Sequence, residues 1–265
     1  MVEGTALGYL LQAKILLPED AGSAIYLDIA LRWFHLIFGI TWIGLLYFFN
    51  LINVPVMKAL DAPTKGKVIP VLLPAALWYF RWSAVATVLA GWLYWVLLLH
   101  REPQPPDGVP GQYMLRTLGI WFLVVIAAWV IFYLLLRIPP GAKDTPLTRN
   151  GYFFAVPVVF LAVVMLWALV DFITYKGASN RVLAIAVGGG YGFFMLLNVW
   201  GIIWRAQKKI IAWTKENAEK GTPIPPEAAV LARQAFLTSR ANAWLSLPML
   251  FFMAAASHFP FFSGG

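Results

Sequence analysis

Cysteine is absent from this chain of 265 residues. Its absence excludes disulfide bonds, thiolate-bound metals, iron–sulfur clusters and covalent attachment of a c-type haem to this chain. Charged residues are also scarce, at 12% of the sequence, which is about half of the roughly 25% usual in soluble domains. Hydrophobic residues make up 61%, and the mean hydropathy is +0.74. This composition predicts an integral membrane protein.

The sequence also lacks the motifs of catalysis by side chains alone. It contains no nucleophilic triad, no carboxylate pair, no phosphate-binding loop and no zinc motif. A glycine cluster at 188–192 is not a dinucleotide fingerprint, because its surroundings are apolar and no strand precedes it. It indicates either tight helix packing or clearance for a flat cofactor. Chemistry in this protein is therefore expected to depend on a cofactor.

Long apolar runs take up most of the chain. Crossing the hydrocarbon core takes about 20 apolar residues, and six segments meet that requirement. We therefore predict an all-α integral membrane protein, a bundle of about six transmembrane helices in a single membrane domain. The polar stretch 206–239 predicts two amphipathic helices around a proline-rich break, and 6–17 predicts an interfacial helix. The six predicted spans are 29–54, 77–99, 118–136, 152–173, 182–204 and 243–262.

Lysine and arginine are distributed unevenly between the two sides of the predicted bundle. Thirteen lie in the loops after the first, third and fifth spans, against five on the opposite side. Because cytoplasmic loops are enriched in these residues, we predict that both termini face the periplasm of a bacterial inner membrane. The net charge of +8 is then a property of the cytoplasmic loops and not a sign of nucleic-acid binding.

Two of the only three histidines, His35 and His258, lie inside apolar segments. An ionisable residue at membrane depth is costly and is a candidate functional residue. The topology places both in the outer half of the bilayer, at depths that agree within about 10 Å for a rise of 1.5 Å per residue. Since a neutral imidazole is a common ligand of haem iron, we hypothesise that the two residues coordinate a b-type haem near the outer face. The alternative is that each ring hydrogen-bonds separately to a neighbouring helix or to interfacial water.

Three further polar residues are candidates for holding a cofactor. Arg32, one turn before His35, could pair with a haem propionate or a quinone carbonyl, or extend to the interface as a snorkelling arginine. Arg81 could clamp a cofactor carboxylate, or anchor the inner interface among aromatic residues. Asn198 needs a hydrogen-bond partner at its depth, which a neighbouring helix or the cofactor would supply.

Four stretches resemble the membrane domain of the bacterial membrane-type urate oxidase (urate dehydrogenase) family, and they occur in the family's order. The resemblance implies that His35 and His258 occupy family positions. It also implies a functional link to a periplasmic cytochrome c, because a c-type cytochrome commonly follows the membrane domain in that family. The printed sequence contains no such cytochrome domain after the last predicted span. The matching stretches are Arg32–Gly44 (RWFHLIFGITWIG), Trp78–Ala84 (WYFRWSA), Met195–Lys209 (MLLNVWGIIWRAQKK) and Ser239–Pro260 (SRANAWLSLPMLFFMAAASHFP).

The family pattern also has histidines near Trp78, Ala186 and Ala241, where this chain has none. The resemblance therefore implies that a second cofactor or substrate site of the family is missing here. The leading expectation is a membrane subunit of a respiratory-type electron-transfer system that binds a b-type haem and exchanges electrons with a cytochrome c or an oxidase. A urate dehydrogenase that uses a separate cytochrome c is one alternative. A cofactor-free structural subunit of a larger respiratory or photosynthetic complex is the other.

Overall fold

The computed structural model describes residues 23–102, 111–139, 141–174 and 178–262, and the structural statements below refer to them. All regular structure in these residues is helical, which confirms the predicted all-α class. The predicted interfacial helix at 6–17 lies outside the described residues. The α-helices are α1 Ser23–Tyr47, α2 Val54–Ala59, α3 Ala62–Arg101, α4 Gln112–Leu136, α5 Pro146–Arg149, α6 Gly151–Ile173, α7 Asn180–Asn198, α8 Trp204–Lys220 and α9 Glu227–His258. Two π-helical turns, Phe48–Asn53 and Val199–Ile203, join α1 to α2 and α7 to α8.

Within the described residues, five helices are long and apolar enough to cross a bilayer. Each contains one of the first five predicted spans. The sixth predicted span forms the second half of α9, which is not among the five. Asn242, Ser246 and Pro248 interrupt its apolar run, and the helix ends at His258, before the predicted boundary at 262. The five helices are Ile25–Ala59, Ala62–Arg101, Gln112–Leu136, Gly151–Ile173 and Asn180–Lys220.

Two of these helices are much longer than the hydrocarbon core. Helix α3 has 40 residues and is about 60 Å long at 1.5 Å per residue, about twice the thickness of the core. Its first turn is capped by Asp61, whose carboxylate accepts a hydrogen bond from the Thr64 N–H at 3.1 Å. Helix α8 continues α7 to Lys220 and packs against the start of α3, where a Cβ on Gly66 would lie 3.1 Å from Ala218. The stretch 206–239 therefore adopts helices that continue the bundle beyond the apolar spans.

Four helices surround the half of the bundle that contains the start of α1. Helix α1 packs on α3, and α7 packs on α9, with α4 and α6 on the far side of α7. The α1–α3 pair is joined at its outer end by the Arg101–Asp28 ion pair at 2.5 Å. Helices α1 and α9 meet further along, where the Tyr47 hydroxyl and the Ser246 hydroxyl are 2.9 Å apart. These contacts leave a space between the two helix pairs.

Candidate cofactor site

A cavity of about 870 Å³ lies between α1, α3, α7 and α9. Its volume is within the range of about 300–1,000 Å³ that small-molecule and cofactor sites occupy. Both His35 and His258 line it, together with Arg32. The structure therefore brings together three of the five candidate residues. The rest of the wall is mostly apolar and aromatic, with glycines at positions 39, 44, 91, 188, 189 and 192.

The His35 ring is oriented by Thr87 on the neighbouring helix α3. Its Nδ1 lies 2.7 Å from the Thr87 carbonyl oxygen, and the Thr87 hydroxyl donates to the His35 carbonyl at 2.7 Å. Because a carbonyl oxygen only accepts, Nδ1 must carry the hydrogen of a neutral ring. The Nε2 lone pair is then free to bind a metal. A ligating histidine is commonly held in this way by a hydrogen bond from its second nitrogen.

Gly91 makes room for this ring one turn further along α3. A Cβ at position 91 would lie 2.5 Å from His35 Nδ1 and 2.7 Å from Cε1. Real Cβ atoms essentially never make contacts below 3.0 Å, so an alanine would displace the imidazole. The absence of a side chain at Gly91 is therefore a condition for the observed position of His35.

His258 lies at a similar depth on the wall that α9 forms beside α1. Twelve residues separate His35 from Tyr47 in α1, and twelve separate Ser246 from His258 in α9. Each run rises about 18 Å along its helix. Since Tyr47 and Ser246 are hydrogen-bonded to each other, two antiparallel helices carry the histidines back to nearly the same level. Unlike the half-buried His35, His258 is exposed and is the last residue of α9.

Two arginines converge at the outer end of the cavity. Arg181, in the first turn of α7, donates from its guanidinium to the Tyr94 hydroxyl. The Arg32 guanidinium carbon lies 5.9 Å from the centre of the same tyrosine ring. Among the described residues, no carboxylate forms a salt bridge with either cation. Two cations beside an apolar cavity favour a ligand with one or more acidic groups.

Several buried donors of the cavity wall have no hydrogen-bond partner within the described part of the chain. They are the indole N–H groups of Trp42 and Trp92 and the Nε–H of Arg181. An unsatisfied buried donor costs about 1–3 kcal/mol. A ligand that carries acceptor oxygens would relieve this cost. The cavity wall thus has more hydrogen-bond donors than the described residues have acceptors for them.

The other two candidate residues, Arg81 and Asn198, do not line the cavity. The Arg81 guanidinium carbon lies 3.9 Å from the centre of the Trp204 ring. Asn198 is fully buried; its amide oxygen accepts from the Trp129 indole at 3.1 Å, and its amide nitrogen donates to Asn242 at 2.8 Å. The predicted contact of Asn198 across helices is therefore present. The structure thus gives Asn198 hydrogen-bond partners within the protein. Arg81 has an aromatic contact, and its buried Nε–H has no hydrogen-bond partner among the described residues.

Sequence reasoning did not single out Thr87, Gly91, Tyr94 or Arg181 as site residues. A signal for the first two existed, since Ser83, Thr87 and Gly91 recur every four residues along one face of α3. Small residues at this spacing permit close helix approach. No such local signal marks Arg181, which becomes a site residue only because α7 lies beside α3.

The side chains that line the cavity are of the chemical types that bind a haem. Two imidazoles from different helices, several glycines in the wall and two cations suit a flat group with acidic side chains. No group of three or more histidine and acidic side chains that could hold a bare metal ion occurs among the described residues.

Comparison with known proteins identifies a family. The family described as "Urate oxidase N-terminal" matches residues 60–265, more than three quarters of the chain. Within the comparison, no curated protein and no solved structure matches the chain. The matched region includes α3, α7 and α9, hence three of the four walls of the cavity and His258. By this match the chain belongs to the urate oxidase N-terminal family.

Proposed function

We propose that the protein is a membrane subunit of an electron-transfer system that binds one b-type haem through His35 and His258. In this proposal it resides in a bacterial inner membrane with both termini in the periplasm, and it exchanges electrons with a cytochrome c or an oxidase. The observation that supports it best is that both histidines line one cavity of about 870 Å³ at similar depth. Family membership supports a urate oxidase-related membrane component in general.

The residues of the site have separate tasks in this proposal. Thr87 fixes the tautomer of His35 so that Nε2 points a lone pair away from the hydrogen bond. Arg32 and Arg181 hold the acidic groups at the outer rim, and the apolar wall excludes water. When bound, haem supplies one-electron chemistry, with a potential set by its axial ligands and burial.

A visible spectrum of the purified protein, oxidised and reduced, tests the proposal. We expect a low-spin haem spectrum that is lost in both His35→Ala and His258→Ala. His100→Ala is the matched control, because this third histidine is exposed at the end of α3 and does not line the cavity. A featureless Soret region, or a low-spin spectrum that persists in either of the first two variants, would contradict the proposal.

A second candidate function is urate oxidation with a separate cytochrome c as electron acceptor. The family match supports it, and the two arginines beside the cavity suit an anionic substrate. It predicts urate-dependent reduction of added cytochrome c by the purified protein. If the protein binds haem but urate does not reduce cytochrome c, the result would support electron transfer without urate oxidation. A haem-free chain that co-purifies with an oxidase or a photosynthetic reaction centre would instead indicate a structural subunit.

A further inference from the structure

The cavity extends well beyond the level of the two histidines. Along α1 its wall runs from Ile29 to Tyr47, a separation of eighteen residues or about 27 Å. Tyr47 lies about 18 Å further along α1 than His35. The part of the cavity around Tyr47, here called the inner chamber, is lined by Trp42, Ile43, Gly44, Tyr47, Gly192 and Met249. It is therefore space that a group centred between the histidines leaves open.

The inner chamber carries donors within an apolar wall. Trp42 is 2% exposed, and its indole N–H has no partner among the described residues. The Tyr47 hydroxyl shares a hydrogen bond with Ser246 at 2.9 Å. Gly44 is exposed, and a Cβ on it would meet nothing within 4 Å, so the chamber is open at its edge beside this residue. The chamber thus suits a largely apolar ligand that has at least one acceptor oxygen.

The chamber opens sideways, between α1 and α9, onto the lateral surface of the bundle. Ile40 on α1 and Leu250 on α9 both line the cavity, yet they are 63% and 42% exposed. Trp33 and Leu36 continue this exposed apolar rim along α1. In a helix that crosses a bilayer, such a side opening faces lipid. A ligand that enters here must be soluble in the hydrocarbon core.

We propose that the inner chamber binds the head group of a membrane quinone, with its isoprenoid tail leaving through the opening between α1 and α9. A quinone carbonyl supplies the acceptor that the Trp42 indole lacks, and the ring is flat and apolar. An acyl chain of a phospholipid has no acceptor at this depth and leaves the Trp42 donor unsatisfied. The proposal does not depend on haem binding, since the chamber and the histidines use different residues.

Photolabelling of the full chain in lipid nanodiscs with an azido-quinone tests this site. We expect label on residues 40–47 of α1 and 249–253 of α9, displaced by excess decyl-ubiquinone. Trp42→Phe should weaken the binding of decyl-ubiquinone about three- to tenfold, the effect of one neutral hydrogen bond. Trp244→Phe is the matched control, because Trp244 is 62% exposed on α9 and does not line the cavity. Label spread over lipid-facing helices such as α6 and not displaced, or an unchanged affinity of Trp42→Phe, would overturn the proposal.

A second variant keeps the test decisive if Trp42→Phe does not fold. Gly44→Leu places a side chain into the open space of the chamber and should abolish the displaceable label. Persistence of that label would overturn the proposal. Labelling of His35→Ala separates the two proposals, because this variant should lose haem and keep the label. Displaceable label in wild-type protein that binds no haem would leave the quinone site standing and refute the haem proposal. Wild-type protein with haem but without displaceable label would do the reverse.

Discussion

Replacing Gly91 with alanine should displace the proposed axial ligand His35 without unfolding the protein. The added Cβ would lie 2.5 Å from His35 Nδ1, whereas ordinary contacts begin at 3.4 Å. The ring must therefore retreat by about 0.9 Å. If the retreat follows the hydrogen bond to Thr87, its 2.7 Å length becomes about 3.6 Å, which is no longer a hydrogen bond.

The substitution has both destabilising and stabilising effects on the fold, whereas its effect on haem binding is only unfavourable. Overpacking costs about 1–3 kcal/mol, and the lost hydrogen bond about 1 kcal/mol. Alanine in a helix is favoured over glycine by about 0.8–1.0 kcal/mol, which offsets part of the cost. Loss of the group that orients a metal ligand typically weakens metal binding 10- to 100-fold. Gly91→Ala should thus bind haem 10- to 100-fold more weakly at a modest loss of stability.

Haem titration of the purified variant, followed in the Soret region, measures the affinity, and thermal unfolding in detergent measures the stability. Gly44→Ala is the matched control: it is the same substitution in the same cavity, and its Cβ would meet nothing within 4 Å. We expect this control to keep the affinity of the wild type. Equal haem affinity in Gly91→Ala and Gly44→Ala would refute the reasoning that the Gly91 backbone holds the His35 ring.

Three further changes test other parts of the structure. Arg181→Gln should raise the rate of haem loss to a haem-scavenging protein about tenfold, because a charged contact to an acidic group is lost; an unchanged rate would contradict this role. Asn198→Ala should destabilise the fold by about 1–3 kcal/mol in thermal unfolding, since it leaves the Trp129 donor without its acceptor; a changed haem spectrum would instead support its assignment to the cofactor. The hydrogen bonds from Thr64 hold the pKa of Asp61 below its usual value of 3.8, so its cap stabilises α3 above that pH and is lost as the pH falls through the lowered pKa. Hydrogen exchange of the first turn of α3, corrected for intrinsic rates, should therefore accelerate at acid pH in the wild type, and Asp61→Ala should show the fast exchange already at neutral pH.

The depth of the histidine pair is the part of the site that is most accessible from the sequence. Helix periodicity and the distribution of lysine and arginine place His35 and His258 in the same half of the bundle, and the structure places both on one cavity. Depth follows from residue counting along straight helices, so local information suffices. Which face of each helix points inward is less accessible in a lipid-exposed bundle, where apolar residues cover both faces.

The assignment of polar residues is the part that depends on tertiary contacts. Asn198 and Arg181 are both polar residues on the same α7 helix, and sequence reasoning assigned only Asn198 to the cofactor. In the structure Asn198 finds Trp129 and Asn242, whereas Arg181 reaches the cavity beside Tyr94. In the sequence, a structural polar residue and a site residue look the same: each is a polar side chain in an apolar helix. Only the neighbouring helices decide which partner each one finds.

The two proposed axial ligands are held very differently, and this difference has a consequence for electron exchange. His35 lies within α1, with its ring fixed by Thr87 and packed over Gly91. His258 is the last residue of α9, and its ring makes no hydrogen bond within the described part of the chain. The segment after it is anchored by Asn180, which donates to the Phe259 carbonyl at 2.8 Å and accepts from the Phe262 N–H at 2.8 Å. The rings of Phe261 and Phe262 also pack on Phe252. The constrained ring of His35 is thus half-buried, while the less constrained ring of His258 is exposed. A redox partner in the periplasm would approach this second, less constrained position, because it is the edge of the site that protein does not cover.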